Sequence, residues 1–358
     1  MRGKRSELKG KAQTVLGIID RDLLGFTLPH EHFFIDCSVD FREPSNPKEK
    51  DLAYQPVSFE NLSWVRSHIW FNLDNVCLTD VSEAIREAIL FKEAGGQSVI
   101  DVTPNHVGRD PKALARIAKE AGINVIMGTA YYRGPSYKPE MKVESKTEEE
   151  IASEFVRDII EGINGICAGI IGEVACSWPM TENERKVLRA GAIAQQQTGA
   201  ALMVHPGFYD EAPLEIIDIL RDAGADISRV IMCHMGETIK SHSARFRLAD
   251  TGCYLEWDRF GSDGEYPFYN EGSPNLIPDV PNDPERLNQI VQLIGEGFLN
   301  QILISHDTFL KIELHRFGGQ GYSHILTNVI PLMREKRISD EIIHTITVEN
   351  PKRILTFV

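Results

Sequence analysis

No stretch of this 358-residue sequence approaches the ~18 consecutive apolar residues of a membrane span, which argues against a membrane protein. The basic start, Met1-Arg-Gly-Lys-Arg5, is not followed by the apolar segment of roughly 7–15 residues that a secretory signal requires. Cys-x-x-Cys pairs are also missing. The six cysteines (Cys37, Cys77, Cys167, Cys176, Cys233 and Cys253) are dispersed, four of them in or beside expected strands, where a free thiol acts as a small hydrophobe. These absences lead us to expect a reduced, cytoplasmic protein. Positive charge is in deficit too: the net charge of −14 gives an average field that repels polyanions, so nucleic acid is not an expected partner. No Gly-x-Gly-x-x-Gly follows a first strand, which weakens the case for an open doubly wound sheet.

What the sequence does contain is six metal-ligand residue types in a fixed rhythm. His30 and His32 lie in Leu28-Pro-His-Glu-His32, Glu173 ends Ile170-Ile-Gly-Glu173, and His205 ends Leu202-Met-Val-His205. His234 ends Ile231-Met-Cys-His234 and Asp307 ends Ile304-Ser-His-Asp307. Each follows a short, largely apolar run, so each is expected at the carboxyl end of a buried strand. The intervals from Glu173 to His205 and on to His234 are close to one strand-helix unit each.

Eight such strands can be read: 25–35, 98–103, 124–129, 167–173, 201–205, 229–234, 253–257 and 301–306. Amphipathic stretches at 80–94, 111–121, 147–162, 181–198, 213–223 and 283–297 separate many of them, and Gly122, Gly199, Gly224 and Gly252 fall where helices should stop. Eight strands alternating with helices satisfy an α/β fold closed as a (β/α)8 TIM barrel, which typically takes about 250 residues and tolerates large insertions. A single domain over 1–358 is therefore expected, with a polar, aromatic insertion at about 37–79 over the mouth. The long loop at about 258–282 has the length of a lid.

Barrel closure would bring the six residues to one rim. His-x-His on a strand puts both rings on one face, and an unpaired Glu173 after an apolar run would be expensive to bury. Four imidazoles and two carboxylates suit two divalent ions and hence a hydrolase; Zn²⁺ fits this donor mixture best, with Mn²⁺, Co²⁺ or Fe²⁺ as alternatives. His306 should point away from them. Loops after the strands offer Tyr131, Arg133, Trp178, Tyr209, Arg259 and Lys311 as substrate contacts. Aromatics with a few cations fit a small organic anion. A small-molecule substrate is the expected partner, and a homodimer is left open.

The segments Thr27-Leu-Pro-His-Glu-His32, Gly108-Arg-Asp-Pro111, Gly172-Glu-Val174, Val204-His-Pro206, Cys233-His-Met235, Ser305-His-Asp307 and Gly318-Gly-Gln-Gly-Tyr-Ser-His-Ile325 together resemble the phosphotriesterase family of the amidohydrolase superfamily. The tail segment Gly321-Tyr-Ser-His-Ile-Leu-Thr-Asn-Val-Ile-Pro331 and the strand-seven segment Cys253-Tyr-Leu-Glu-Trp-Asp-Arg-Phe-Gly261 look most like its phosphotriesterase-related branch. The resemblance spans nearly the whole chain. It implies that His30, His32 and Asp307 hold a more buried metal and His205 and His234 a more exposed one. The bridge in organophosphate-degrading and lactonase members is a carboxylated lysine; here strand four offers Glu173, with the same single charge and two oxygens.

By the same resemblance, a bridging hydroxide attacks the carbonyl of a lactone, carboxyl ester or N-acyl amide, and Asp307 carries the proton to the leaving group. A phosphoesterase on the same centre is the rival reading, and a non-catalytic metal-binding barrel the other.

Overall fold

Eight of the apolar runs pair side by side into one parallel sheet. The structure is a computed structural model that describes residues 2–262 and 280–358. Its strands are β1 (Thr27–Glu31), β2 (Ser98–Asp101), β3 (Asn124–Thr129), β4 (Ile170–Ala175), β5 (Leu202–His205), β6 (Val230–Met232), β7 (Tyr254–Trp257) and β8 (Ile302–Ile304). They follow one another in the sheet in chain order. The two ends meet in a nearly closed barrel: Ser305 Oγ donates to the His30 carbonyl at 2.8 Å, and the Asp307 N–H reaches the same carbonyl at 3.1 Å.

The helices form where the sequence supplies stops and caps. Between strands run α1 (Val81–Glu93), α2 (Pro111–Ala121), α3 (Glu148–Ile160), α4 (Glu182–Thr198), α5 (Ala212–Asp222), α6 (His242–Ala249) and α7 (Asp283–Gly295). Asp110 caps α2 through the N–H groups of Lys112 and Ala113, and Gly122 ends it at φ 65°. Reciprocal Thr-Glu capping boxes open α3 (Thr147 and Glu150) and α4 (Thr181 and Glu184).

Alternation along the strands divides the core in two. Ile100, Ile126, Ile170, Met203, Ile231 and Leu303 fill the barrel interior, where Ala12, Leu24, Ile354 and Leu355 join them. Val99, Val125, Ile171, Leu202, Val230 and Ile302 pack outward among the helices. The N-terminal hairpin Lys11–Thr14 with Gly17–Asp20 closes the end where the strands begin, since Val15 N–H reaches the Val125 carbonyl and Gln13 reaches that of Ala168.

The expected first strand is divided. β1 stops at Glu31, and Ile35–Asp36 turns away to pair antiparallel with Cys77–Leu78. The segment between them carries the helices Pro47–Tyr54 and Leu62–Ser67. Of the expected lid at about 258–282, residues 263–279 lie outside the described residues. No helix among the described residues is long and apolar enough to cross a membrane.

Candidate metal centre

Three local devices bring the six candidate ligands together. His205 follows the plain alternation of β5, with Met203 inside and Val204 outside. His30 and Glu173 owe their aim to bulges. On β1, Leu28 pairs with Val99 but Glu31 with Asp101, so one extra residue enters beside His30. On β4, Ile171 pairs with Leu202 but Val174 with Val204, so Gly172 and Glu173 share one step. The inserted residue reverses the parity, turning toward the axis side chains that strict alternation would point at the helices. A Cβ on Gly172 would sit 2.7 Å from the Met203 Cβ, so the β4 bulge needs glycine.

The third device is left-handed backbone. His234 has φ 60° and Asp307 φ 49°, a region that costs a non-glycine residue about 1–3 kcal/mol. Consecutive residues at the end of β7 hold both. Asp258 accepts the His234 backbone N–H and ring Nδ1–H, each at 2.9 Å. Arg259 donates to the Asp307 carbonyl at 2.7 Å and lies 3.4 Å from its Oδ2.

The assembled group is deeply buried. His30 Nε2 lies 3.4 Å from Glu173 Oε2 and 3.5 Å from Asp307 Oδ1; His32 Nε2 lies 3.2 Å from Asp307 Oδ1. His205 Nδ1 is 3.4 Å and His234 Nε2 3.6 Å from Glu173 Oε2, and these two ring nitrogens are 2.7 Å apart. Glu173 is therefore central to both histidine pairs.

Tautomers are set from behind. Thr103 Oγ1 donates its only proton to the Phe34 carbonyl at 2.7 Å, so at 2.9 Å from His32 Nδ1 it accepts, leaving Nε2 with its lone pair. Asp258 does the same for His234, and its Oδ2 also lies 3.3 Å from His30 Nδ1. Cys233 Sγ and Glu256 Oε2, 3.3 Å apart, complete the layer beneath His30.

Charge follows this geometry. Burial alone would lower the pKa of His234, but Asp258 overrides it and raises it to about 10. Burial opposes ionisation of Glu173, yet His205 and His30 hold it well below its ordinary value. Asp307 is likewise lowered against burial, by His30 and His32. Burial pushes Glu256 up to about 7, against the pull of His30.

Two atoms at the centre, His30 Nε2 and Glu173 Oε2, are buried without a hydrogen-bond partner. Buried polar groups are normally satisfied; an imidazole nitrogen and a carboxylate oxygen 3.4 Å apart are satisfied by a shared proton or, with the ring neutral, by a cation. Compatible ligand atoms also cluster as His30, His32 and Asp307 and as His30, Glu173 and His234. The residues present fit divalent metal.

The candidate substrate contacts divide. Arg133 and Arg259 line the cavity above this group, with Arg42, Trp70, Tyr132, Phe208 and Phe309. Tyr131, Trp178, Tyr209 and Lys311 do not. Tyr131 packs against Phe155 of α3, with its hydroxyl on Glu154 and Lys146, and Tyr132 takes the inward position. Trp178 and Tyr209 pack on each other, ring centroids 6.0 Å apart. Lys311 is tied to Asp74. His306 faces away, its Nδ1 2.7 Å from Glu31 Oε1. Glu31 also accepts the His306 and Thr308 N–H groups, so the middle residue of His-Glu-His clamps the barrel seam. Asp258, Glu256 and Glu31 were missed in the sequence. Glu256-Trp-Asp258 repeats at the end of β7 the i, i+2 spacing of His30 and His32, a signal that could have found the first two.

A model of the phosphotriesterase family matches residues 10–355. The chain belongs to the phosphotriesterase family. An N-acetyltaurine hydrolase from Dictyostelium discoideum is 41% identical, over 99% of this chain and all of the relative. A phosphotriesterase-related protein from Nematostella vectensis is 40% identical, over 97% and 99%. The crystal structure of a resiniferatoxin-binding protein from Rhodobacter sphaeroides superposes with a TM-score of 0.90 at 36% identity, covering 97% of this chain and 95% of that one. The chain is thus a hydrolase on the barrel of the phosphotriesterase family, which is metal-dependent, and the buried ligand cluster is in keeping with it.

Proposed function

We propose that the chain hydrolyses secondary N-acyl amides whose amine part bears an acid group, using two divalent metal ions. His30, His32 and Asp307 would hold one ion, His205 and His234 the other, and Glu173 would lie between them. The observation that carries the metal reading is the pair of unsatisfied buried atoms, His30 Nε2 and Glu173 Oε2, facing each other at 3.4 Å. The substrate class is supported by the near full-length relative named N-acetyltaurine hydrolase. It is also supported by the arginines at 42 and 133 in the cavity wall.

When bound, such ions polarise the acyl oxygen and bring the pKa of water toward about 7. The rest is the work of side chains. Asp307, whose carbonyl Arg259 holds at 2.7 Å, accepts the proton of the attacking water and returns it to the departing nitrogen. Proton transfer of this kind is typically worth about 10²–10⁴ in rate. Arg133 meets the acid group at the mouth, where it pairs with Asp40. Trp70 and Phe309, stacked at 5.7 Å, exclude water beside it.

A panel of N-acyl amino acids and N-acyl aminosulfonates, lactones, carboxyl esters and phosphotriesters, each given to metal-loaded protein, tests the reading. The amides with an acid group are expected to show the highest kcat/KM. Turnover of lactones or phosphotriesters with no turnover of any amide would overturn it.

A further inference from the structure

Glu237 stands one turn beyond His234, in the short helix Met235–Thr238, and lines the cavity. It is 4% exposed. Its Oε1 accepts from Arg286 Nη2 at 3.1 Å, whereas Oε2 is buried without a hydrogen-bond partner. Arg286 is itself fully buried and fixed by Asp283 Oδ1 at 3.0 Å and the Ser262 carbonyl at 2.9 Å. Asp283 is held in turn by His324 Nε2 at 2.6 Å and the Gly261 N–H at 3.0 Å. The carboxylate is thus anchored in place by a chain of ion pairs, with one oxygen uncommitted.

That oxygen suits a particular kind of ligand. Arg286, which Glu237 shares with Asp283, fixes Oε1 and leaves Oε2 as a directional acceptor. A buried acceptor without a donor is rare. Of the other carboxylates on the cavity wall among the described residues, Glu173 and Asp307 belong to the candidate ligand set and Asp40 pairs with Arg133 at the more exposed end. Glu237 belongs to neither group.

We infer that Glu237 is a substrate-positioning residue whose Oε2 accepts the N–H of the scissile amide. The inference rests on the amide reading above. It adds a basis for specificity: an ester of the same shape would set an oxygen lone pair against Oε2, and a site built to accept a hydrogen bond rejects an analogue that cannot donate one.

Glu237→Gln keeps an oxygen for Arg286 and turns an N–H toward the substrate. The experiment measures kcat/KM for an N-acyl amide and its O-acyl ester isostere on wild type and variant, with metal content and melting temperature recorded for both. The amide-to-ester ratio is expected to fall roughly 10- to 150-fold in the variant. An unchanged ratio in folded, metal-loaded variant would overturn the inference. Should the variant fail to fold, wild type decides: N-methylation of the amide, which deletes the donor, is expected to reduce kcat/KM by at least roughly 10-fold. Equal turnover of the two amides would overturn the proposal. Wild type that cleaves the ester but no secondary amide rejects the amide reading itself, a failure told apart because it needs no variant.

Discussion

Asp258 grips His234 twice, taking the backbone N–H on one carboxylate oxygen and the ring Nδ1–H on the other, both at 2.9 Å. The same carboxylate lies 3.3 Å from His30 Nδ1. One buried side chain therefore orients an imidazole from each half of the candidate centre. Partners of this kind typically matter 10- to 100-fold in metal affinity. Asp258→Asn should accordingly weaken both ions by roughly that factor. Chelator competition on wild type and variant checks this, and equal affinities would reduce Asp258 to a packing role.

The left-handed backbone at His234 makes a separate prediction about stability. Its φ of 60° is one that glycine adopts freely and alanine does not. In chelator-treated protein, His234→Gly should be more stable than His234→Ala by about 1 kcal/mol. The order is the reverse of that expected at an ordinary helical or extended position. Denaturant midpoints of the two variants decide it.

Protons and metal compete for His234. Burial lowers its pKa, but Asp258 raises it to about 10 in metal-free protein, above the ordinary value near 6.5. A raised folded pKa gives stability that is fully present below about pH 6.5 and lost as pH rises through about 10. Metal uptake at pH 7 must then displace about one proton at this residue. Calorimetric titration in two buffers of different ionisation enthalpy should show that release, and affinity should rise with pH across the window. Buffer-independent heats would contradict the raised value.

Two arginines on the cavity wall should separate kinetically. Arg133 pairs with Asp40 at the mouth, so Arg133→Ala should raise KM for an anionic amide far more than for a neutral one. Arg259 holds the Asp307 carbonyl at 2.7 Å, so Arg259→Ala should lower kcat for both substrates. Steady-state kinetics on the matched pair tests the contrast, which fails if both variants change only KM.

The barrel was legible, and the six candidate ligands could be picked out, because each of the six ends a run of apolar residues whose burial needs no long-range information. The helices were legible from their caps, as at Asp110 and Gly122. The aim of the ligands was not. Strict alternation from Leu28 would send His30 outward, and only the inter-strand register reveals the extra residue. Nor does the sequence say that β3 ends so as to turn Tyr132 inward and Tyr131 onto α3. Lys311 looked available for substrate because its partner, Asp74, lies far away in the chain.

Glu173 is the residue on which the binuclear account turns, since Oε2 lies within 3.6 Å of His30, His205 and His234. The most direct test is elemental analysis of purified wild type and Glu173→Gln after identical loading with zinc or manganese, without added bicarbonate. The account predicts about two divalent ions per wild-type chain and a marked loss in the variant. A wild type that binds no metal, or a variant that keeps two tightly bound ions, would contradict it.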